Sequence, residues 1–155
     1  MVCYTKKHHV PFFIDDEDYP IVLQHTWHCS HYGYIATRHN GSILFLHRLI
    51  MNTPNEIKTD HINGNKLDNQ KSNLRVCTTA QNSRNRKKKP GCSSKYKGVY
   101  WDKFKWHSQI TYNFKTMHLG LFNNEEEAAM AYNIKATEFF GEYANLNKIE
   151  KTKDV

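Results

Sequence analysis

The stretch that decides the fold lies between Asp60 and Asn82 and reads DHINGNKLDNQKSNLRVCTTAQN. On an extended strand the adjacent side chains of Asp60 and His61 point to opposite sides, so one is able to hold a divalent cation while the other reaches a water molecule. Turn signals follow, then a short strand at residues 74–77. Thr79 predicts the N-cap of a helix that has Asn82 in its first turn. This order of strand, loop, strand and helix would bring Asp60 and Asn82 together around one ion.

Two simpler interpretations of the same stretch remain open. Asn, Asp and Gly are the residues that any polar turn requires, and residues 60–65 also suggest a calcium-binding loop. The glutamate that closes such a loop at its twelfth position is missing. Because an Asp-His pair, two spaced asparagines and nearby basic residues occur together, we favour a site that cleaves phosphodiester bonds.

These residues resemble the HNH endonuclease family, in the Asp-His-Asn-Asn variant found in phage and intron-borne homing endonucleases. The resemblance extends over most of residues 10–88 and includes the sequence FLHRLIM at residues 45–51. It implies that Asp60 and Asn82 bind the metal, that His61 is the general base and that Asn73 orients it. It also implies products with 5′-phosphate and 3′-hydroxyl ends. Oxygen ligands favour Mg²⁺ or Mn²⁺ as the cofactor over Zn²⁺.

Charge and cysteine content limit the function classes. The chain has 22 Lys and Arg against 15 Asp and Glu, a formal net charge of +7 and a pI near 9.2, which suits a polyanionic partner. The four cysteines form no C-x-x-C pair, and we identify neither a signal peptide nor a membrane-spanning apolar run. We therefore expect reduced thiols and a cytoplasmic protein without a membrane or small-molecule cofactor. The family resemblance further implies that the protein is phage-encoded and acts in its host.

The residues before Asp60 predict a small β scaffold. Residues 10–14 suggest a strand, and residues 33–37 and 42–45 suggest a hairpin joined at Asn40-Gly41, a strong turn signal. A short helix is predicted at residues 46–51. Its His47 and Arg48 have two open interpretations, either contact with DNA and support of the site, or bonds within the fold.

The sequence KKKPG at residues 87–91 marks a domain boundary. We predict a nuclease domain at residues 1–88, with its ββα-metal motif at about residues 57–87, and a basic linker at residues 89–94. A second domain at residues 95–147 and a tail at residues 148–155 complete the chain. The fold class is α+β.

The second domain shows period-two patterning at residues 96–101, 105–111 and 115–120, which predicts a three-stranded antiparallel sheet. One helix packs on it, capped at Asn124 and ending at Gly141. The inward helix residues are Ala128, Ala129, Tyr132, Ala136 and Phe139, facing Val99, Ile110 and Leu119 of the sheet. A polar and basic sheet face is left exposed.

The second domain resembles the DNA-binding domain of the plant ethylene-response-factor (Apetala) family, through the sequences YKGV at residues 96–99, HLGLF at 118–122 and FGEYANL at 140–146. In that family the sheet lies in the major groove, which implies recognition of double-stranded DNA. The side chains expected to contact DNA are Arg75, Arg84, Asn85, Arg86, Lys97, Tyr100, Lys103, Lys105, Gln109, Thr111, Lys115, Thr116 and His118.

Two other function classes remain open. One is a sequence-specific DNA-binding regulator with a vestigial nuclease module, and the other is a protein that acts on RNA. The sequence leaves the oligomeric state open, with a monomer slightly favoured, and does not define the target site or whether one strand is cut or both.

Overall fold

The computed structural model describes residues 1–85 and 91–149 and divides into two compact units, Met1–Ser83 and Arg84–Val155. Both units combine helices with antiparallel strands, as expected for an α+β chain. The predicted boundary at residues 87–91 lies outside the described residues except for Gly91, and so do Arg86 and residues 150–155 of the predicted tail. In the part that the structure describes, no helix is long and apolar enough to cross a membrane.

The first unit begins with a β scaffold, as predicted. Its elements are β1 (Val2–Tyr4), β2 (Pro11–Phe13), α1 (Tyr19–Leu23), β3 (His28–Cys29), β4 (Ile35–His39), β5 (Ser42–Phe45) and α2 (Leu46–Ile50). Strands β1 and β2 pair with each other, and β3, β4 and β5 form a second antiparallel sheet in that order. The hairpin predicted at Asn40-Gly41 is confirmed, since both residues have positive φ angles, 48° and 78°.

The core of the first unit lies between this scaffold and the segment that carries the predicted site. Phe12, Ile14, Ile35 and Leu46 are fully buried and pack with Trp27. Leu74, from the predicted motif, belongs to the same cluster. The motif is therefore anchored in the core, so its polar residues project from a fixed backbone.

The motif itself consists of β6 (Lys58–His61), β7 (Leu74–Cys77) and α3 (Thr79–Arg84). The two strands are antiparallel, and the register places Asp60 opposite Arg75. The prediction of Thr79 as the N-cap was wrong by one residue. Thr78 Oγ1 accepts from the backbone N–H of Gln81, and Gln81 Oε1 accepts from that of Thr78, which is a capping box.

The loop between β6 and β7 is bound to β2 through backbone hydrogen bonds. The N–H of Phe13 donates to Leu67 at 2.8 Å, and the N–H of Asn69 donates to Phe13 at the same distance. Because β2 belongs to the core, these bonds fix the path of a loop that lies far from it in sequence.

The second unit contains β8 (Val99–Asp102), β9 (Lys105–Tyr112), β10 (Lys115–Phe122) and α4 (Glu125–Phe140). The strand order is β10-β9-β8, all antiparallel, which confirms the predicted sheet. Strand β8 begins three residues later than the predicted run, because Ser94 Oγ accepts from the N–H of Tyr96 and forms a turn there. The cap at Asn124 is confirmed, since its side chain accepts from Glu126 and Glu127.

The helix of the second unit packs on the sheet through small residues, as predicted. Ala128, Ala129 and Ala136 are fully buried. The predicted inward position of Phe139 was only partly right, because Phe139 is half-buried and Phe140 is the buried residue. Gly98 has a φ of +76°, and a Cβ atom there would lie 2.1 Å from the ring of Tyr132. A side chain at this position would therefore separate the helix from the sheet.

Candidate active site

His61, the last residue of β6, lies at the centre of the candidate site. Its side chain is 4% exposed, and its Nε2 lies 3.3 Å from Oδ1 of Asn69, which is fully buried. An amide oxygen only accepts hydrogen bonds, so Nε2 of His61 carries the proton in this pair. The other ring nitrogen, Nδ1, then has a lone pair in the neutral imidazole, as a general base requires.

Asn73, which the family resemblance implied to orient His61, forms hydrogen bonds within the loop that follows His61. Its Oδ1 accepts from the N–H of Asn63 at 2.9 Å, and its Nδ2 donates to the carbonyl of Asp68 at 2.8 Å. The side chain thus closes the loop that follows His61, whereas the imidazole bonds to Asn69. Sequence reasoning missed Asn69, and no spacing in the motif distinguishes it from the neighbouring asparagines.

Asp60 is 9% exposed and forms an ion pair with Arg75 of the opposite strand. Nε and Nη2 of Arg75 donate to Oδ2 at 3.2 and 2.9 Å. Arg75 was predicted to contact phosphates, but its guanidinium is as buried as the carboxylate that it contacts. We therefore assign it to fixing the orientation of Asp60.

The motif is similar to known proteins in two comparisons. Residues 45–84 match a family model described as HNH endonuclease. The chain is 36% identical over 145 residues to an uncharacterized HNH endonuclease of Acanthamoeba polyphaga mimivirus, an alignment that covers 89% of this chain and 75% of the relative. The chain belongs to the HNH endonuclease family. The predicted enzyme class is confirmed: this HNH protein is a nuclease.

The electrostatic setting of His61 in this HNH nuclease favours the unprotonated imidazole. Burial lowers the pKa of His61, and the nearby Lys66 acts in the same direction. The bond to Asn69 and the carboxylates of Asp60 and Asp68 act in the opposite direction but do not reverse the shift. The imidazole is therefore largely neutral near pH 7, which is the state that accepts a proton.

HNH nucleases generally use a divalent metal, and the two side chains predicted to bind it carry oxygen donors that fit a hard cation. Asp60 on β6 and Asn82, half-buried on α3, offer a carboxylate and a carboxamide oxygen. Within residues 1–85 and 91–149 no group of three or more His, Cys, Asp or Glu side chains is placed to hold a metal. Two oxygen donors suit an ion such as Mg²⁺, which keeps several waters and binds substrate phosphate as well.

The second unit of the HNH nuclease presents the polar sheet face that the strand pattern predicted. The register pairs Tyr100 with His107, Gln109 with His118 and Thr111 with Thr116, and these residues share the face opposite α4. The predicted DNA contacts did not include His107. It lies two residues from both Lys105 and Gln109, so strand alternation places it on the same face of the sheet. Its ring stacks on that of Tyr100 with centroids 4.8 Å apart.

Several side chains predicted to contact DNA have other partners within the second unit. Lys97 Nζ donates to the carbonyl of Arg84 at 2.6 Å, and burial lowers the pKa of this lysine. The guanidinium of Arg84 lies over the ring of Phe140, 5.1 Å from its centroid. Lys105 bonds to Asn123. We therefore leave Lys97 and Arg84 out of the proposed DNA surface.

Proposed function

We propose that this HNH nuclease hydrolyses phosphodiester bonds of double-stranded DNA with a divalent metal bound by Asp60 and Asn82, and with His61 as the general base. The observation that carries the proposal is the bond between Nε2 of His61 and Asn69, next to the buried carboxylate of Asp60. It supports a base whose proton-accepting nitrogen is Nδ1. We place the protein among the homing-type enzymes of the Asp-His-Asn-Asn variant.

In this mechanism each side chain of the site has a separate role. Nδ1 of His61 takes a proton from the attacking water, whose oxygen forms the new bond to phosphorus. The bond from phosphorus to the 3′ oxygen breaks, and that oxygen takes a proton from solvent, which leaves 5′-phosphate and 3′-hydroxyl ends. Asn69 keeps the proton of His61 on Nε2, and Asn73 holds the loop that carries Asn69.

Asp60 supplies the negative charge of the metal site, and Arg75 keeps its carboxylate in one orientation. When bound, the divalent ion supplies charge stabilisation for the phosphate oxygens as negative charge develops on them. The donor chemistry favours Mg²⁺ or Mn²⁺.

The second unit is proposed to recognise the target through the exposed face of its sheet, as an ethylene-response-factor-like domain. Support comes from its polar side chains and from the exposed Lys103 and Lys115 at the ends of its strands. Lysines bind phosphates without regard to sequence, whereas carboxamide and hydroxyl groups distinguish base edges. Gln109 and Thr111 are therefore the side chains that we expect to set the base preference.

A plasmid cleavage assay tests the proposed reaction. We expect the full chain to nick or linearise supercoiled DNA with Mg²⁺ or Mn²⁺, to lose activity in excess chelator and to regain it when either ion is restored. Asp60→Ala, which removes the charged ligand, should be inactive with every metal. Stoichiometric zinc in the purified protein, with cleavage that needs no added Mg²⁺, would show that the oxygen-ligand argument is wrong. Specific binding without cutting under all metals would favour the DNA-binding regulator.

The proposed roles of the sheet face, with Gln109 contacting base edges and Lys103 contacting phosphates, give a separate prediction. Gln109→Ala in the full chain should change the preferred base at one or two target positions, by ~1–3 kcal/mol where a base-edge contact is lost. Lys103→Ala should weaken binding to all sequences alike and reduce the salt dependence by about one phosphate contact. Binding selections from a randomised duplex library measure both effects. The assignment fails if Gln109→Ala leaves the selected sequence unchanged.

A further inference from the structure

The second residue of α2, His47, has a buried side chain with a polar atom that lacks a partner. The residue is 6% exposed, and its Nδ1 has no hydrogen-bond partner in the part of the chain that the structure describes. The sequence left open whether His47 is bonded within the fold or supports the site. Its neighbour Arg48 is bonded, because its guanidinium donates to the carbonyls of residues 53, 54 and 57. Of the two side chains, Arg48 is therefore the one that is hydrogen-bonded within the fold, whereas Nδ1 of His47 is not.

The ring of His47 packs directly on the ring of His61. The two centroids are 5.0 Å apart and the planes are inclined at 67°, an edge-to-face contact. Tyr34 and Phe45 complete the group, with centroids 5.2 and 5.6 Å from that of His47. The ring of His61 thus forms a hydrogen bond to Asn69 through Nε2 and packs against the rings of His47 and Tyr34.

Burying a nitrogen without a hydrogen-bond partner lowers the stability of a fold. A phenylalanine at position 47 would fill the same space without that cost. The chain already has Phe45 beside it, so an apolar ring is compatible with these surroundings. Burial, together with the charges of His61 and Arg48, lowers the pKa of His47 to about 3, so the ring is neutral at the pH of the cell. A neutral imidazole has one donor and one acceptor nitrogen and therefore an in-plane dipole that a phenyl ring lacks.

We propose that His47 is a positioning residue, whose buried imidazole holds the ring of His61 in the orientation that bonds Nε2 to Asn69 and presents Nδ1 to the attacking water. The proposal rests on the proposed role of His61 as the general base. The dipole of His47 acts on the His61 ring at short range in a buried environment, where such interactions depend strongly on orientation. A 180° flip of the His61 ring would break the bond to Asn69, and His47 disfavours that flip.

The test compares His47→Phe with the parent protein, and uses His47→Leu as a second apolar variant in case the larger ring does not pack. Both should be as stable as the parent at pH 7.5 or more stable. The single-turnover cleavage rate with Mg²⁺ should fall ~10- to 100-fold, as expected for a misplaced base, with the affinity for duplex DNA unchanged. Without DNA or metal, the ring ¹⁵N resonances of His61 should change from a single Nε2–H form to a mixture of tautomers.

Ser108→Ala is the matched control, because Ser108 is fully buried in the second unit and its Oγ has no hydrogen-bond partner among the described residues. It should leave the cleavage rate and the His61 resonances unchanged. The proposal is overturned if His47→Phe cleaves within about twofold of the parent, or if it weakens DNA binding at an unchanged rate, which would indicate a DNA contact. If the parent itself does not cleave DNA, the proposed function fails, and the His61 resonances still decide the positioning role.

Discussion

Replacing His61 by alanine should lower the rate of DNA cleavage by ~10²–10⁴, the usual contribution of a positioned general base. The affinity for DNA should stay within about twofold, because the buried imidazole faces water in the mechanism rather than the duplex. Asn69→Ala should give a smaller loss, since the base remains but its tautomer and orientation are no longer fixed. Single-turnover cleavage and equilibrium binding in the same buffer measure the two quantities separately.

His31→Ala is a suitable control for this experiment. His31 is exposed in the first unit, and its replacement removes the same side chain without touching the site. It should cleave at the parent rate. If His61→Ala cleaves within about tenfold of the parent, His61 is not the base, and a water molecule activated in another way must be the nucleophile.

Local patterns in the sequence were enough to predict most of the fold. The hairpin at Asn40-Gly41 was predictable because its turn needs positive φ angles that these two residues adopt readily. The start of α3 was also predictable from a local pattern. The N-cap is Thr78 rather than the predicted Thr79, which shows that both residues of the capping box must be identified. Gln81 lies three residues after Thr78, and that spacing identifies the N-cap.

The partner of His61 was not predictable, because it depends on contacts that are distant in sequence. The loop that carries Asn69 takes its path from backbone bonds to Phe13 in β2. The pairing of Asp60 with Arg75 likewise depends on the register of β6 and β7. Neither the loop path nor the register follows from residue types, so Asn69 and the Asp60–Arg75 ion pair became visible only in the structure. The role of Asn73 in orienting His61 and the contact of Arg75 with phosphate stay predictions.

In the second unit, strand alternation predicts the face of side chains within a strand but not of those beyond its ends. Alternation along β9 correctly separates Gln109 and Thr111 from the buried Ile110. It does not apply to Lys97, which lies before the start of β8 next to Gly98, whose positive φ turns the chain. Side chains at strand ends therefore need the structure before they are assigned to a face.

The burial of His47 predicts that the first unit loses stability in acid. Its pKa is lowered to about 3 in the folded protein, whereas an imidazole in an unfolded chain titrates near ~6.5. Between these values the unfolded state binds more protons. The contribution of His47 to stability is thus fully present above about pH 6.5 and is lost as the pH falls toward 3, by about 2 kcal/mol at pH 5 and on the order of 5 kcal/mol in full.

Among the described residues, the charged and titratable groups around His47 are His61, Arg48 and Tyr34, and all three are retained in His47→Phe. The difference between parent and variant therefore isolates the titration of His47. Urea unfolding in chelator, followed through amide resonances of β4 between pH 7.5 and 4.5, should show a steep loss of stability for the parent and a shallower one for His47→Phe. Equal slopes would mean that His47 is not buried as a neutral ring. Its unpaired nitrogen would then reach solvent, which would also remove the basis for its role in positioning His61.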